Sequence, residues 1–172
     1  IVHCQITNPR ILQGMKDQDL LAYIQPVFID LDMNTVEPAI GAQRMDKVYA
    51  WKSMLEMGIH TSGGSDAPVV SFDAMENIYF AVTRKNISGQ PQEGWIPSEK
   101  ISVDEAVKLF TKNAAYASYT EDENGTIEVG KNADFVVLEK NIYEIDPDEI
   151  KATKVDMTVL GGEIVYEREV EE

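Results

Sequence analysis

The chain has 172 residues, of which 44% are hydrophobic and 26% charged, so it is long enough to bury a core and polar enough to be a globular protein. Its formal net charge of -15 excludes a phosphate-binding surface of the nucleic-acid type, which relies on Lys and Arg displacing counterions. No stretch approaches the roughly 18 to 20 apolar residues of a membrane span. The single cysteine, Cys4, forms no internal disulfide and favours a reducing compartment, hence the cytoplasm.

Ile1 to Gln5 reads as a strand taken from its context, since domains usually open on polar, loosely held residues. Asn8-Pro9 is an N-cap and N1 pair for a short amphipathic helix to about Met15. Leu20 to Gln25, closed by Pro26, reads as a buried strand. An irregular loop rich in Asp, Asn, Pro and Gly leads to a helix from about Arg44 to Met57, which Gly58 ends. Ile59 to Asp66 is a short strand breaking into a glycine-containing turn. A helical apolar pattern spans Phe72 to Lys85. The following loop, with Gly89, Pro91, Gly94 and Pro97, is a pocket cover or a plain connector. Ser102 and Glu105 form a capping box for a helix running to about Ser118.

From Gly125 the period changes. Thr126 to Val129, Phe135 to Leu138, Lys154 to Leu160 and Glu163 to Tyr166 read as strands, the last two joined by Gly161-Gly162 as a hairpin, with a short helix near Pro147 to Ala152. The order strand, helix, strand, helix, strand followed by a β tail gives an α/β unit with a small β appendage. The acids concentrate at Tyr119 to Glu128 and at Glu167 to Glu172, as a solvated acidic surface would.

Functional groups in α/β folds gather at the C-terminal ends of strands. Those ends present His3, Gln25 and Asp66. Imidazole and carboxylate are both zinc donors, yet a catalytic zinc takes about three protein ligands plus water. Each residue also has a plainer role: His3 as a pocket-lining histidine, Gln25 as a partner for a strand-end backbone group, Asp66 as an N-cap for the next helix. His60, at a strand start, fits a structural or surface role. Cys4 points toward the helices as a buried thiol. Arg44 fits a solvated role and Trp51 a packing one. Gly63-Gly64 lacks the residues of a phosphate loop, and no G-x-S-x-G elbow is present.

Several segments together resemble the amidohydrolase superfamily, in particular amidohydrolase family 3, which includes N-substituted formamide deformylases. They are Val2-His3-Cys4-Gln5, Ile24-Gln25-Pro26, Gly64-Ser65-Asp66-Ala67-Pro68, Ala81-Val82-Thr83-Arg84, Gly125 to Leu138 with its Gly130-Lys131-Asn132-Ala133-Asp134 core, and Val159 to Tyr166. The resemblance implies the C-terminal part, strands six to eight, of a (β/α)8 TIM barrel over residues 1–119, and the C-terminal part of a β-sandwich over residues 120–172. It implies His3 as the metal histidine of strand six, Asp66 as the metal-binding and proton-accepting aspartate of strand eight, and Gln25 at the end of strand seven as a substrate contact. The expected cofactor is Zn2+ or a similar divalent metal in the full-length protein, bound weakly at best by this chain alone. The expected reaction is hydrolysis of an amide, formamide or N-acyl C–N bond in a small molecule, with no turnover from this part by itself. A non-catalytic scaffold or regulatory domain that keeps the fold is the alternative, and homo-oligomerisation through exposed strand edges is expected.

Overall fold

A computed structural model describes residues 1–169; Val170, Glu171 and Glu172, the end of the C-terminal acidic cluster, lie outside the described residues. The first half is a parallel layer covered by helices. Helix α1 (Pro9–Asp17) starts where Asn8 accepts a hydrogen bond from the Ile11 amide, and it buries Leu12 and Met15. Strand β1 (Ala22–Ile24) pairs in parallel with β2 (Thr61–Gly63), Ala22 opposite Thr61 and Ile24 opposite Gly63. Ala22 and Ile24 are fully buried, which fixes the face that β1 turns to the core.

The expected strand at Ile1 to Gln5 is reduced to a parallel bridge between Val2 and Tyr23. His3 and Cys4 leave the strand path at φ 68° and 49°. Instead of continuing along β1, the chain crosses to a second partner: Ile6 bridges Val48 in antiparallel sense, and the Tyr49 amide donates to the Gln5 carbonyl at 2.7 Å.

That second partner explains why the helix expected from Arg44 to Met57 is divided. A 3-10 turn (Ala42–Lys47) is followed by extended Val48 and by Tyr49 at φ 50°, and only then by α4 (Trp51–Glu56). Two short helices, α2 (Phe28–Asp32) and α3 (Val36–Ile40), occupy what the polar sequence presents as a loop, because Phe28, Ile29 and Val36 are buried.

Helix α5 (Ala74–Thr83) is capped by Asp73, which accepts from the amides of Met75 and Glu76. Phe72 therefore falls outside the helix and is exposed. The Gly89 to Pro97 loop is pinned to the end of α5: the Trp95 amide donates to the Arg84 carbonyl at 2.7 Å, and Gly94 sits against the Thr83 carbonyl at a distance that admits no side chain. The capping box at Ser102 and Glu105 forms as expected and opens α6 (Val103–Phe110); Thr111 then breaks the helix before α7 (Lys112–Ala117).

The tail forms an antiparallel sheet in the order β3 (Phe135–Leu138), β4 (Val155–Leu160), β5 (Glu163–Glu167). Thr126 to Val129 is not a strand. Gly125 and Gly130 hold positive φ on either side of it, Lys131 closes a turn on Glu128, and Ile127 and Val129 have nothing in the described chain to pack on. The 3-10 turn Pro147–Ala152 buries Ile150, and Lys85 pairs with Asp148 at 2.7 Å, tying the tail to the residues just beyond α5.

Candidate metal centre

His3 sits at the turn where the chain leaves the parallel layer, with its ring tilted 34° against Phe28 at 5.6 Å. Gln25 follows β1 directly and is buried. The Oε1 of Gln25 lies 2.8 Å from Nδ1 of His3. A carbonyl oxygen only accepts, so this pairing is a hydrogen bond in the tautomer that protonates Nδ1 and leaves the lone pair on Nε2. A carbonyl that accepts from one imidazole nitrogen and leaves the other free to ligate is the usual arrangement of a metal histidine. The donor chemistry of His3 therefore fits a divalent cation. Gln25 is at once the group that fixes this tautomer and a candidate for a substrate contact, since its Nε2 makes no hydrogen bond among the described residues.

Asp66 lies three residues past β2, at φ 63°, with its side chain exposed. The plainer role considered for it, capping the next helix, belongs to Asp73 instead. Among the described residues no three His, Cys, Asp or Glu side chains come together as a metal site, so His3 and Asp66 can supply only part of a ligand set. His60 is exposed and stacks on Tyr116 at 4.2 Å; it takes no part in this region. Cys4 is buried, with its thiol on the Ile1 carbonyl, and burial raises its pKa above the ordinary value. Arg44 is exposed on the 3-10 turn and Trp51 is fully buried.

Behind His3 lies a polar network that reading the sequence missed. Asp32 accepts at one oxygen from both Tyr49 Oη, at 2.5 Å, and Gln5 Nε2, at 3.0 Å. Burial first, and then the bond to Asp32, push the Tyr49 phenol above its usual pKa. The Tyr49 carbonyl accepts from Arg84 Nη1 at 3.0 Å, and Arg84 Nε donates to the Trp95 carbonyl at 2.6 Å. Arg84 is 0% exposed, lies 4.6 Å over the Trp51 ring, and burial pushes its pKa down to about 10, against the pull of Glu99 and Tyr49. Glu99, also buried, accepts from the amide and hydroxyl of Ser53 and faces Lys47 at 3.6 Å. The available signs were an arginine at the end of an apolar helical pattern and its place in the family-like segment Ala81 to Arg84, and neither distinguishes a buried guanidinium from a solvated helix end.

A parallel layer packed against helices, followed by an antiparallel tail, belongs to the mixed α/β class. Similarity to known proteins narrows this class. Residues 1–166 match the amidohydrolase family model, and the chain belongs to that family. It is 34% identical over 168 residues to the Bacillus subtilis protein YtcJ, covering 98% of this chain and 32% of YtcJ. It is 34% identical over 122 residues to an N-substituted formamide deformylase of Arthrobacter pascens, covering 71% of this chain and 22% of the deformylase. The fold superposes on an uncharacterized metal-dependent hydrolase from Pyrococcus horikoshii with a TM-score of 0.76 at 21% identity, covering 86% of this chain and 30% of that one. The chain thus spans about a third or less of each of these three relatives. Among the described residues no helix is long and apolar enough to cross a membrane.

Proposed function

We propose that the full-length protein is a metal-dependent hydrolase of a C–N bond in a small amide, formamide or N-acyl compound, and that this chain supplies His3 and Asp66 to its centre. The carrying observation is the His3 Nδ1 to Gln25 Oε1 contact, which presets the imidazole as a donor at a strand end in a chain of this family. Zn2+ or a similar cation, when bound, would polarise the substrate carbonyl and bring the pKa of water near 7. His3 would hold that cation through Nε2. The Asp66 carboxylate takes the proton from the attacking water and returns it to the departing amine, so that the C–N bond breaks with a neutral leaving group. Gln25 Nε2 donates to the substrate carbonyl while Oε1 stays on the histidine.

We further propose that residues 1–119 are strands six to eight of a TIM barrel with their helices, and residues 120–172 part of a β-sandwich, supported by the change from parallel to antiparallel pairing between β2 and β3. The exposed apolar residues Val136, Ile164 and Val165 on this sheet support self-association of the chain, which sedimentation tests.

The deciding experiment is metal analysis of the full-length protein combined with a panel of formamide and N-acyl substrates. Stoichiometric metal and hydrolysis, both lost in His3→Ala, are expected. In Asp66→Asn, hydrolysis should fall by about 100-fold or more, the scale of a lost general base. Hydrolysis at the wild-type rate in His3→Ala would refute the assignment.

A further inference from the structure

His3 and Cys4 both occupy the left-handed region, at φ 68° and 49°. That conformation is strained for a non-glycine residue and persists only where the surroundings enforce it. Upstream, Val2 is held by its bridge to Tyr23 on β1. Downstream, Gln5, Ile6 and Thr7 are held by Lys47, Val48 and Tyr49: the Tyr49 amide donates to the Gln5 carbonyl at 2.7 Å, and the Thr7 hydroxyl donates to the Lys47 carbonyl at 2.7 Å. The clamp on Gln5 is doubled, because its side chain shares the Asp32 oxygen with the Tyr49 hydroxyl. Tyr49 is itself in the left-handed region and 1% exposed, with its carbonyl held by Arg84.

We infer that Asp32, Tyr49 and Gln5, backed by Arg84, position His3 for metal binding without any of them touching the metal. The inference rests on the reading of His3 as a metal ligand. Gln25 fixes the tautomer of the ring, and the Asp32 network fixes the backbone turn from which the ring projects. Removing the Asp32 carboxylate frees the Gln5 side chain, and removing the Tyr49 hydroxyl leaves Asp32 held by Gln5 alone; either change loosens the clamp, lets the turn at His3 relax toward ordinary φ, and moves Nε2 from its place. Groups that orient a metal ligand typically cost about 10- to 100-fold in metal affinity when removed.

The test uses the full-length protein, with zinc affinity measured by competition against a chromophoric chelator and stability by thermal unfolding. Tyr49→Phe and Asp32→Ala are expected to weaken zinc binding about tenfold or more. Asp32→Asn keeps an oxygen able to accept from both Tyr49 and Gln5, and is expected to recover most of the affinity. Tyr79→Phe removes a comparable buried hydroxyl contact, to the Asn86 carbonyl, outside this network and is expected to leave affinity unchanged whatever its effect on stability. His3→Ala separates the inference from its foundation. If His3→Ala loses zinc while Tyr49→Phe and Asp32→Ala bind as the wild type, the positioning role is overturned and the ligand assignment stands. If His3→Ala binds zinc as the wild type, the ligand assignment falls and the positioning role falls with it. Equal weakening in Tyr79→Phe would reduce the effect to general destabilisation and overturn the inference.

Discussion

Replacing Arg84 by methionine sets the burial of a charge against the bonds that the charge makes. The guanidinium is fully buried, and burial pushes its pKa down to about 10, a shift on the order of 3 kcal/mol against the charged form in the fold. Against this stand two hydrogen bonds from a charged donor, to the carbonyls of Trp95 and Tyr49, worth about 1.5 to 3 kcal/mol each. The stacking over Trp51 at 4.6 Å adds about 2 kcal/mol in a desolvated site. The balance favours arginine, so Arg84→Met is expected to destabilise by about 2 to 5 kcal/mol, the two abandoned carbonyls setting the upper end. Arg84→Lys, which keeps a charge but cannot span both carbonyls in one plane, should fall between the two. Urea unfolding reads this directly as a lower midpoint with an unchanged slope. A loss under about 1 kcal/mol in Arg84→Met would refute the reasoning, because buried charge would then offset everything that the guanidinium holds.

Two further outcomes follow from the packing and the charges. Gly94→Ala should cost about 2 to 4 kcal/mol in thermal or urea unfolding, since its φ is 79° and a Cβ would stand 2.3 Å from the Thr83 carbonyl; Gly89→Ala, where no atom lies within 4 Å, should cost less, limited to backbone strain. The Lys154 amide, and then Arg168, hold the Glu139 carboxyl below its ordinary range. A depressed carboxyl contributes stability above its unfolded pKa and loses that contribution as pH falls through the lower folded value, so the β3–β4 pairing should loosen on the acid side of the usual glutamate range. An NMR titration in which Arg168→Ala leaves the Glu139 midpoint unmoved would contradict this.

The elements that the sequence announced clearly are those whose causes are local. Asn8-Pro9 starts α1, Ser102 and Glu105 start α6, and Gly161-Gly162 turns β4 into β5, all as the residues imply. The misreadings share a different cause. Arg44 to Met57 has a helical apolar stripe, but the Tyr49 amide is claimed by Gln5, more than 40 residues earlier, and the helix breaks there. Thr126 to Val129 alternates as a strand does, yet alternation specifies a strand only when a neighbour is present to pair with. For the site, His3 and Asp66 stand out because strand ends concentrate chemistry, whereas Asp32 and Tyr49 carry no periodic signal and the segment that marks Arg84 as family-like says nothing of its burial. Their roles come from contacts across the fold, which only tertiary structure supplies.

The antiparallel bridge from Ile6 to Val48 also bears on how such a protein diversifies. The stretch between Gln25 and Lys47 is anchored at both ends by groups tied to the histidine turn, while Asn34, Glu37, Pro38 and Ala42 between them are exposed. Loop entropy grows slowly with length, each doubling adding only about 0.6 kcal/mol. Insertions between Met33 and Met45 can therefore be taken up while the turn at His3 keeps its anchors, separating the part of the chain that is free to vary from the part that must hold still.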